Sequence, residues 1–229
     1  MGIFPIFAAV MKTMTNTDYI KQLIAEGEHM HQDFKFEISD ARKIARSLSA
    51  FANTEGGRLL VGVKDNGKIA GVRSEEEIYM VEAAAEMYCQ PRVELENHLY
   101  SVEGKTVLLV QINEVAEKPV YALDENNKKW AYVRIKDENI LATPVHLKIW
   151  SSDNRKSGEW FSFTEKEQLL LKKMKECDRL TLNQCCKLCG MNRRSISMLL
   201  ADFVRFGLVD IEFEGHKFFY KQAPAPLEI

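Results

Sequence analysis

The sequence has no long apolar run. Its most apolar terminal stretch, residues 2–10, has no basic segment ahead of it and falls far below the ~18 residues that a membrane span requires. A membrane partner is therefore not expected, and residues 1–14 read as an extension upstream of a chain that begins at Met11 or Met14. A disulfide framework is also missing. The five cysteines are an odd number, and four of them crowd between positions 177 and 189, so they read as reduced thiols of a cytoplasmic protein. There is no strong charge of one sign: the formal net charge is −2, so any binding of polyanions has to come from local patches. No internal repeat or low-complexity tract is present. His29, His31, His98, His146 and His216 form no cluster with a nucleophile, which leaves no Ser-His-Asp or Cys-His arrangement to propose.

What is present is a core. The chain is 46% hydrophobic and 28% charged, the profile of a globular protein. Its charge is unevenly spread. Residues 14–150 carry 17 basic and 22 acidic side chains, whereas residues 162–222 carry 11 and 8, so the C-terminal part is the better phosphate binder. The stretch 151–158 is polar throughout and marks a linker over 151–160. It separates a first domain, 15–150, from a second, 161–222, with a tail at 223–229.

In the first domain, Asn16 or Thr17 is expected to cap a helix with Ile20, Leu23 and Ile24 on one face. A strand follows at 33–38. Ser39 then opens a helix in which Ile44, Leu48 and Phe51 form one stripe. Residues 58–63 and 68–72 are expected to pair as a hairpin through Asn66-Gly67. Ser74 and Glu77 match a capping box for a third helix, which ends before Pro91. Strands are expected at 94–102, 105–112 and 130–135. Helices followed by a run of strands indicate an α+β domain.

The second domain shows three helix starts, at Thr164 with Glu167, Thr181 with Gln184, and Asn192. Gly190 and Met191 leave only a tight turn between the second and third helices. An alternating strand from Val209, a turn at Gly215 and a return strand complete a winged helix-turn-helix. In such a module the helix from Arg193 enters the major groove. Arg193, Arg194, Ser195 and Ser197 are then placed to meet DNA. A docking or dimerisation role is the alternative, since Asp210, Glu212 and Glu214 on the hairpin repel phosphate. Cys177, Cys185, Cys186 and Cys189 have the wrong spacing for zinc knuckles and read as small core residues.

The segment Ala50-Phe51-Ala52-Asn53-Thr54-Glu55-Gly56-Gly57, with the apolar strand and Gly62-Val63 that follow, closely resembles the signature of the Schlafen AlbA-like family. Asp33-Phe34-Lys35 upstream and Tyr132-Val133-Arg134 downstream extend the resemblance over about 26–144. It implies an AlbA-like Schlafen domain followed by the small winged helix, and a nucleic-acid-binding protein, DNA more than RNA, of the transcriptional-regulator type. The other activity it implies is a divalent-metal endoribonuclease. Carried over by position, the family's three carboxylates fall on Glu28, Asp33 and Asp65, which would hold Mg²⁺ or Mn²⁺ through oxygen. The chain departs at Asp33, where the family usually has Glu. The plain structural account of the three is a helix-end residue, a strand residue and a turn former. Lys35 and Arg134 match family motif positions and are candidates for phosphate contact, with Arg42, Lys43, Arg46, Arg58, Lys64 and Lys68 nearby. The family's groove has two lobes and this chain has one, which implies a homodimer. ATP is not supported by the residues: Gly62, Gly67 and Lys68 fit a phosphate-loop spacing, but Ile69 stands where Ser or Thr is needed.

Overall fold

The computed structural model describes residues 15–153 and 164–224. Helix α1 (Asn16–Glu26) starts one residue before the expected caps: Thr15 is the N-cap and forms a capping box with Asp18. Strand β1 (Gln32–Lys35) leads to α2 (Ala41–Asn53), capped by Asp40 rather than Ser39. Next come β2 (Gly57–Val61), α3 (Glu75–Met87) and the short β3 (Cys89–Gln90). Strands β4 (Leu95–Val102) and β5 (Lys105–Ile112) pair antiparallel across a tight turn. Then follow β6 (Tyr121–Leu123), β7 (Lys129–Ile135) and β8 (Glu138–Leu141).

These strands form two four-stranded sheets, in the orders β1-β2-β5-β4 and β3-β6-β7-β8. β1 and β2 run parallel, and all other ladders are antiparallel. The architecture is α+β, as the pattern of elements indicates. Period two decides which way each strand residue faces. Leu59, Val61, Leu108, Val110 and Ile112 point to α2 and α3. Leu60, Val107 and Leu109 point to α1, where Ile20 and Leu23 cover them. A strand buried on both faces belongs in a sheet centre. That is why β2 pairs with β1 and β5 rather than in a regular ladder with 68–72; the expected hairpin is kept beyond it, through a Val63–Ile69 bridge and backbone bonds from Lys64 to the Lys68 carbonyl at 3.0 Å and from Ala70 to the Gly62 carbonyl at 2.8 Å.

Helix α2 holds the two sheets together through side chains of the Ala-Phe-Ala-Asn-Thr segment. Asn53 accepts from the Val120 amide at 2.7 Å and donates to the carbonyls of Val120 and Tyr132 at 2.8 and 3.0 Å. Thr54 Oγ1 accepts from the Arg134 amide at 2.9 Å. The two glycines behind it are sterically required. A Cβ on Gly57 would lie 2.3 Å from the Phe51 ring, and Gly56 sits at φ +71 with Ile112 O 2.8 Å from where its Cβ would be.

Helix α4 (Pro144–Asp153) was not expected. Thr143 caps it through the His146 amide at 3.4 Å, with proline at the first helical position, where a missing N–H costs nothing. Ser151, Ser152 and Asp153, read as linker, are its last residues; the rest of that stretch lies outside the described residues. Three helices and a hairpin complete the chain: α5 (Glu165–Glu176), α6 (Leu182–Cys189), α7 (Arg193–Arg205), β9 (Val209–Glu214) and β10 (Lys217–Gln222). Thr164, Thr181 and Asn192 cap these helices as expected. Val145 of α4 shares a core with Leu170, Ile196, Leu200 and Phe203. No helix among the described residues is long and apolar enough to cross a membrane.

Candidate functional site

Two regions contain the residues singled out in the sequence. The first is a buried polar cluster where β1 passes the end of β7. Asp33 is 3% exposed. Its Oδ2 meets Lys35 Nζ at 2.7 Å and accepts from Ser47 Oγ at 3.4 Å, while its Oδ1 lies 3.6 Å from the Arg134 guanidinium. Glu28 adjoins it and accepts from the Phe34 amide at 2.9 Å. Burial first, and then contact with Asp33, hold the Glu28 carboxyl above its ordinary pKa, against the opposing pull of the Phe34 amide and Lys35.

Glu28 and Asp33 therefore come together as the carry-over implies, but Asp65 does not join them. It lies exposed in the turn after β2, and among the described residues no three His, Cys, Asp or Glu side chains are grouped to hold a metal ion. Asp33 already meets Lys35 and Arg134, so its charge is matched within the protein. His29 and His31 point elsewhere, toward Glu26 at 3.7 Å and Glu55 at 3.5 Å.

Arg134 is the residue whose role changes most. It is 2% exposed, and its guanidinium donates to Asn139 Oδ1 at 2.9 Å and to the carbonyls of Gln32 and His29 at 3.0 and 3.3 Å. It also stacks 4.9 Å from the Phe51 ring centroid. A guanidinium with these partners is not available to a phosphate, so Arg134 is corrected from a nucleic-acid contact to an internal tie between β7 and β1. Lys35 is committed to Asp33 and to the Phe34 carbonyl at 2.9 Å. Other nearby cations are also engaged: Arg58 with Glu26 and Gln32, Arg42 over Tyr88, and Lys64 over Phe36.

The second region is the start of α7. Asn192 accepts from the Ser195 amide at 2.9 Å and so orients the first turn. Arg193 and Arg194 are exposed there. Arg193 Nη1 donates to Asn183 Oδ1 at 2.6 Å and shares a groove with Thr181, Lys217 and Tyr220 whose lining includes no carboxylate. Ser195 is half-buried. Ser197 is corrected: it is 1% exposed and donates to the Arg193 carbonyl at 2.7 Å, so it faces the core. Two of the three hairpin acids have ion-pair partners, Glu212 with Lys221 and Arg179, and Glu214 with Arg179. Cys185 is buried in the C-terminal core, and burial pushes its thiol up to about 12.

Two functional features escaped the sequence reading. One is the groove made with Lys217, which lies 24 positions after Arg193 and is brought to it by the hairpin. The other is the aromatic cleft between α4 and the hairpin, for which Thr143-Pro144 was the available signal.

Comparison with known proteins places the first of these regions in a family context. The sequence model of the family described as Schlafen, AlbA_2 matches residues 28–143, about half of the 229 residues. No curated protein matches. Among solved structures, the DIP2311 protein from Corynebacterium diphtheriae aligns with 70% of this chain at 16% identity and a TM-score of 0.45; the alignment spans 39% of that protein's length. The N-terminal domain of a protein from Nitrosomonas europaea, described as related to the ATP-dependent DNA helicase RecG, aligns with 66% of this chain. There the identity is 22%, the TM-score is 0.39, and 96% of that domain is covered.

Proposed function

This chain belongs to the Schlafen, AlbA_2 family, and from that premise we propose that it is a nucleic-acid-binding regulator that contacts duplex DNA. The C-terminal helices and hairpin act as a winged helix, and α7 is its recognition helix. The observation that carries this reading is the first turn of α7: two exposed arginines beside a groove that Lys217 also lines and no carboxylate enters. Arg grips phosphate or guanine through paired N–H groups. The N-terminal AlbA_2 domain then supplies a rigid body on which this module is mounted. A twofold protein suits a twofold operator, so the working form is a homodimer in the cytoplasm.

The test is fluorescence anisotropy with labelled duplex DNA over a range of salt. Wild type is expected to bind with steep salt dependence, and the double substitution Arg193→Ala/Arg194→Ala to lose most of that affinity. Absence of binding by the wild-type protein would refute the reading.

One observation favours a second reading, a metal-dependent ribonuclease: Glu28 and Asp33 adjoin, as two members of a carboxylate site must. Against it stand the two cations that already occupy Asp33. Incubation with transfer RNA and Mn²⁺ separates the two. Cleavage that Asp33→Ala abolishes would support the enzyme; intact RNA supports the regulator.

A further inference from the structure

An aromatic cleft adjoins the polar cluster through Arg134 and the α7 groove through Phe218. It opens between the C-terminal hairpin and the second sheet, with a volume of about 440 Å³, within the range of sites that take small molecules. Its wall is aromatic. The His146 ring meets Phe218 edge-on at 4.9 Å between centroids and lies 6.0 Å from Trp150, and Phe213 lies 4.9 Å from Phe218. Val133 and Ile135 of β7 add aliphatic surface.

One polar group in this wall has a defined chemistry. The Thr143 backbone N–H, which can only donate, points to His146 Nδ1 at 3.2 Å, and the Thr143 hydroxyl lies 2.8 Å from the same nitrogen. Nδ1 is therefore an acceptor. Burial holds the His146 pKa down at about 4, so the ring is neutral at physiological pH. Its single proton then sits on Nε2, at the opposite edge of a ring that lines the cleft. The wall thus presents one fixed N–H donor among aromatic faces.

The rim limits what can enter. Glu55, Glu114 and Glu212 all line the cleft. Glu114 pairs with Lys118 at 2.6 Å, Glu212 with Lys221, and Glu55 faces His31 at 3.5 Å, while the Arg134 charge faces Asp33. An anion approaching this rim meets three carboxylates, and the cations there are already paired.

We propose that this cleft binds a planar heteroaromatic molecule that carries a ring carbonyl or ring nitrogen acceptor and no negative charge. Its faces pack on Phe213, Phe218 and Trp150, its acceptor takes the His146 Nε2 proton, and the glutamate rim excludes phosphorylated or sulfonated relatives. Because the cleft is walled by both the hairpin and the N-terminal domain, such a molecule bridges them and stabilises their docking by mass action.

The probe is acridone, a neutral planar heteroaromatic with a ring carbonyl, with acridone-2-sulfonate as its anionic counterpart. Both are titrated into the full chain and followed by ligand fluorescence and by thermal melting. Acridone is expected to bind and to raise the melting temperature, with the sulfonate at least tenfold weaker. His146→Phe keeps the aromatic shape and removes the donor, and should weaken acridone about fivefold; Phe218→Ala should weaken it about tenfold. Glu55→Gln, at an exposed rim position, should narrow the gap between acridone and the sulfonate. No binding of acridone, equal binding of both probes, or indifference to His146→Phe and Phe218→Ala together would overturn the proposal.

Discussion

Arg134 and Arg193 carry the same side chain to opposite ends. Arg134 lies inside the N-terminal domain, where two backbone carbonyls and Asn139 engage its two terminal nitrogens and Asp33 faces its charge, while its Nε is buried without a partner. Arg193 lies at the surface, where it makes one side-chain bond, to Asn183 at 2.6 Å. The difference follows from what surrounds each. A buried guanidinium is tolerable when its charge is matched, and with its terminal nitrogens engaged it has little charge left to offer a ligand. A surface guanidinium keeps its charge available and costs little to leave so. Arginine beside acid is a structural element in one case; arginine beside lysine and hydroxyl groups is the proposed binding element in the other.

The comparison is broken most forcefully by deleting the internal arginine. Arg134→Ala leaves the buried Asp33 with Lys35 as its one remaining cation partner. It should destabilise the domain by about 3–5 kcal/mol, as loss of one partner of a buried pair does. Urea denaturation is the measurement, and a loss below about 1 kcal/mol would show that the cluster is not the tie described here. Asn53→Ala removes the bonds that hold α2 to both β6 and β7 and strands the Val120 amide. A loss of about 2–3 kcal/mol is expected by the same measurement, because buried groups left unsatisfied carry their desolvation cost.

Arg193→Ala should behave in the reverse sense. Its effect on stability should stay within about 0.5 kcal/mol, while duplex DNA affinity falls about tenfold.

The smallest effect concerns pH. The folded pKa of Glu28 is raised, so the native state holds this proton more tightly than the unfolded chain does. Its stabilising contribution is complete below the unfolded pKa and is lost as pH rises through the folded value. Glu28→Gln, which keeps the acceptor for the Phe34 amide, should therefore gain stability relative to wild type at pH 7.5 and not at pH 4. The gain is well under 1 kcal/mol, because the group is partly solvated. Melts of both proteins at the two pH values check the sign.

The same contrast explains what could be read in the sequence. The caps at Thr164, Thr181 and Asn192 act through neighbours three residues away, and each was legible because both partners lie in one short window. The Ala-Phe-Ala-Asn-Thr segment was legible as a family signature, although its work is to fasten α2 to strands far along the chain. Ser74 and Glu77 have the spacing of a capping box, yet Glu77 is buried and accepts from the Ile38 and Arg73 amides at 2.9 and 2.7 Å. A tertiary partner outcompeted the local one. Helix α4 escaped because it is apolar on more than one side. Val145 faces the C-terminal helices, and Trp150 packs with Ala131 and Val133 of the second sheet, so no single stripe stands out. In the site, Glu28 and Asp33 were legible as a pair. The fate of Arg134 was not, because the groups that consume its charge lie about a hundred positions earlier in the chain.

The central claim is that the nucleic-acid contact belongs to the first turn of α7 and not to the polar cluster of the N-terminal domain. The slope of log affinity against log salt for duplex DNA tests it most directly, since each phosphate contact removed lowers that slope by about one. Arg193→Ala/Arg194→Ala is predicted to lower both the affinity and the slope, the latter by about two, with the fold intact. An unchanged slope in that variant would contradict the account and move the contact to the N-terminal domain.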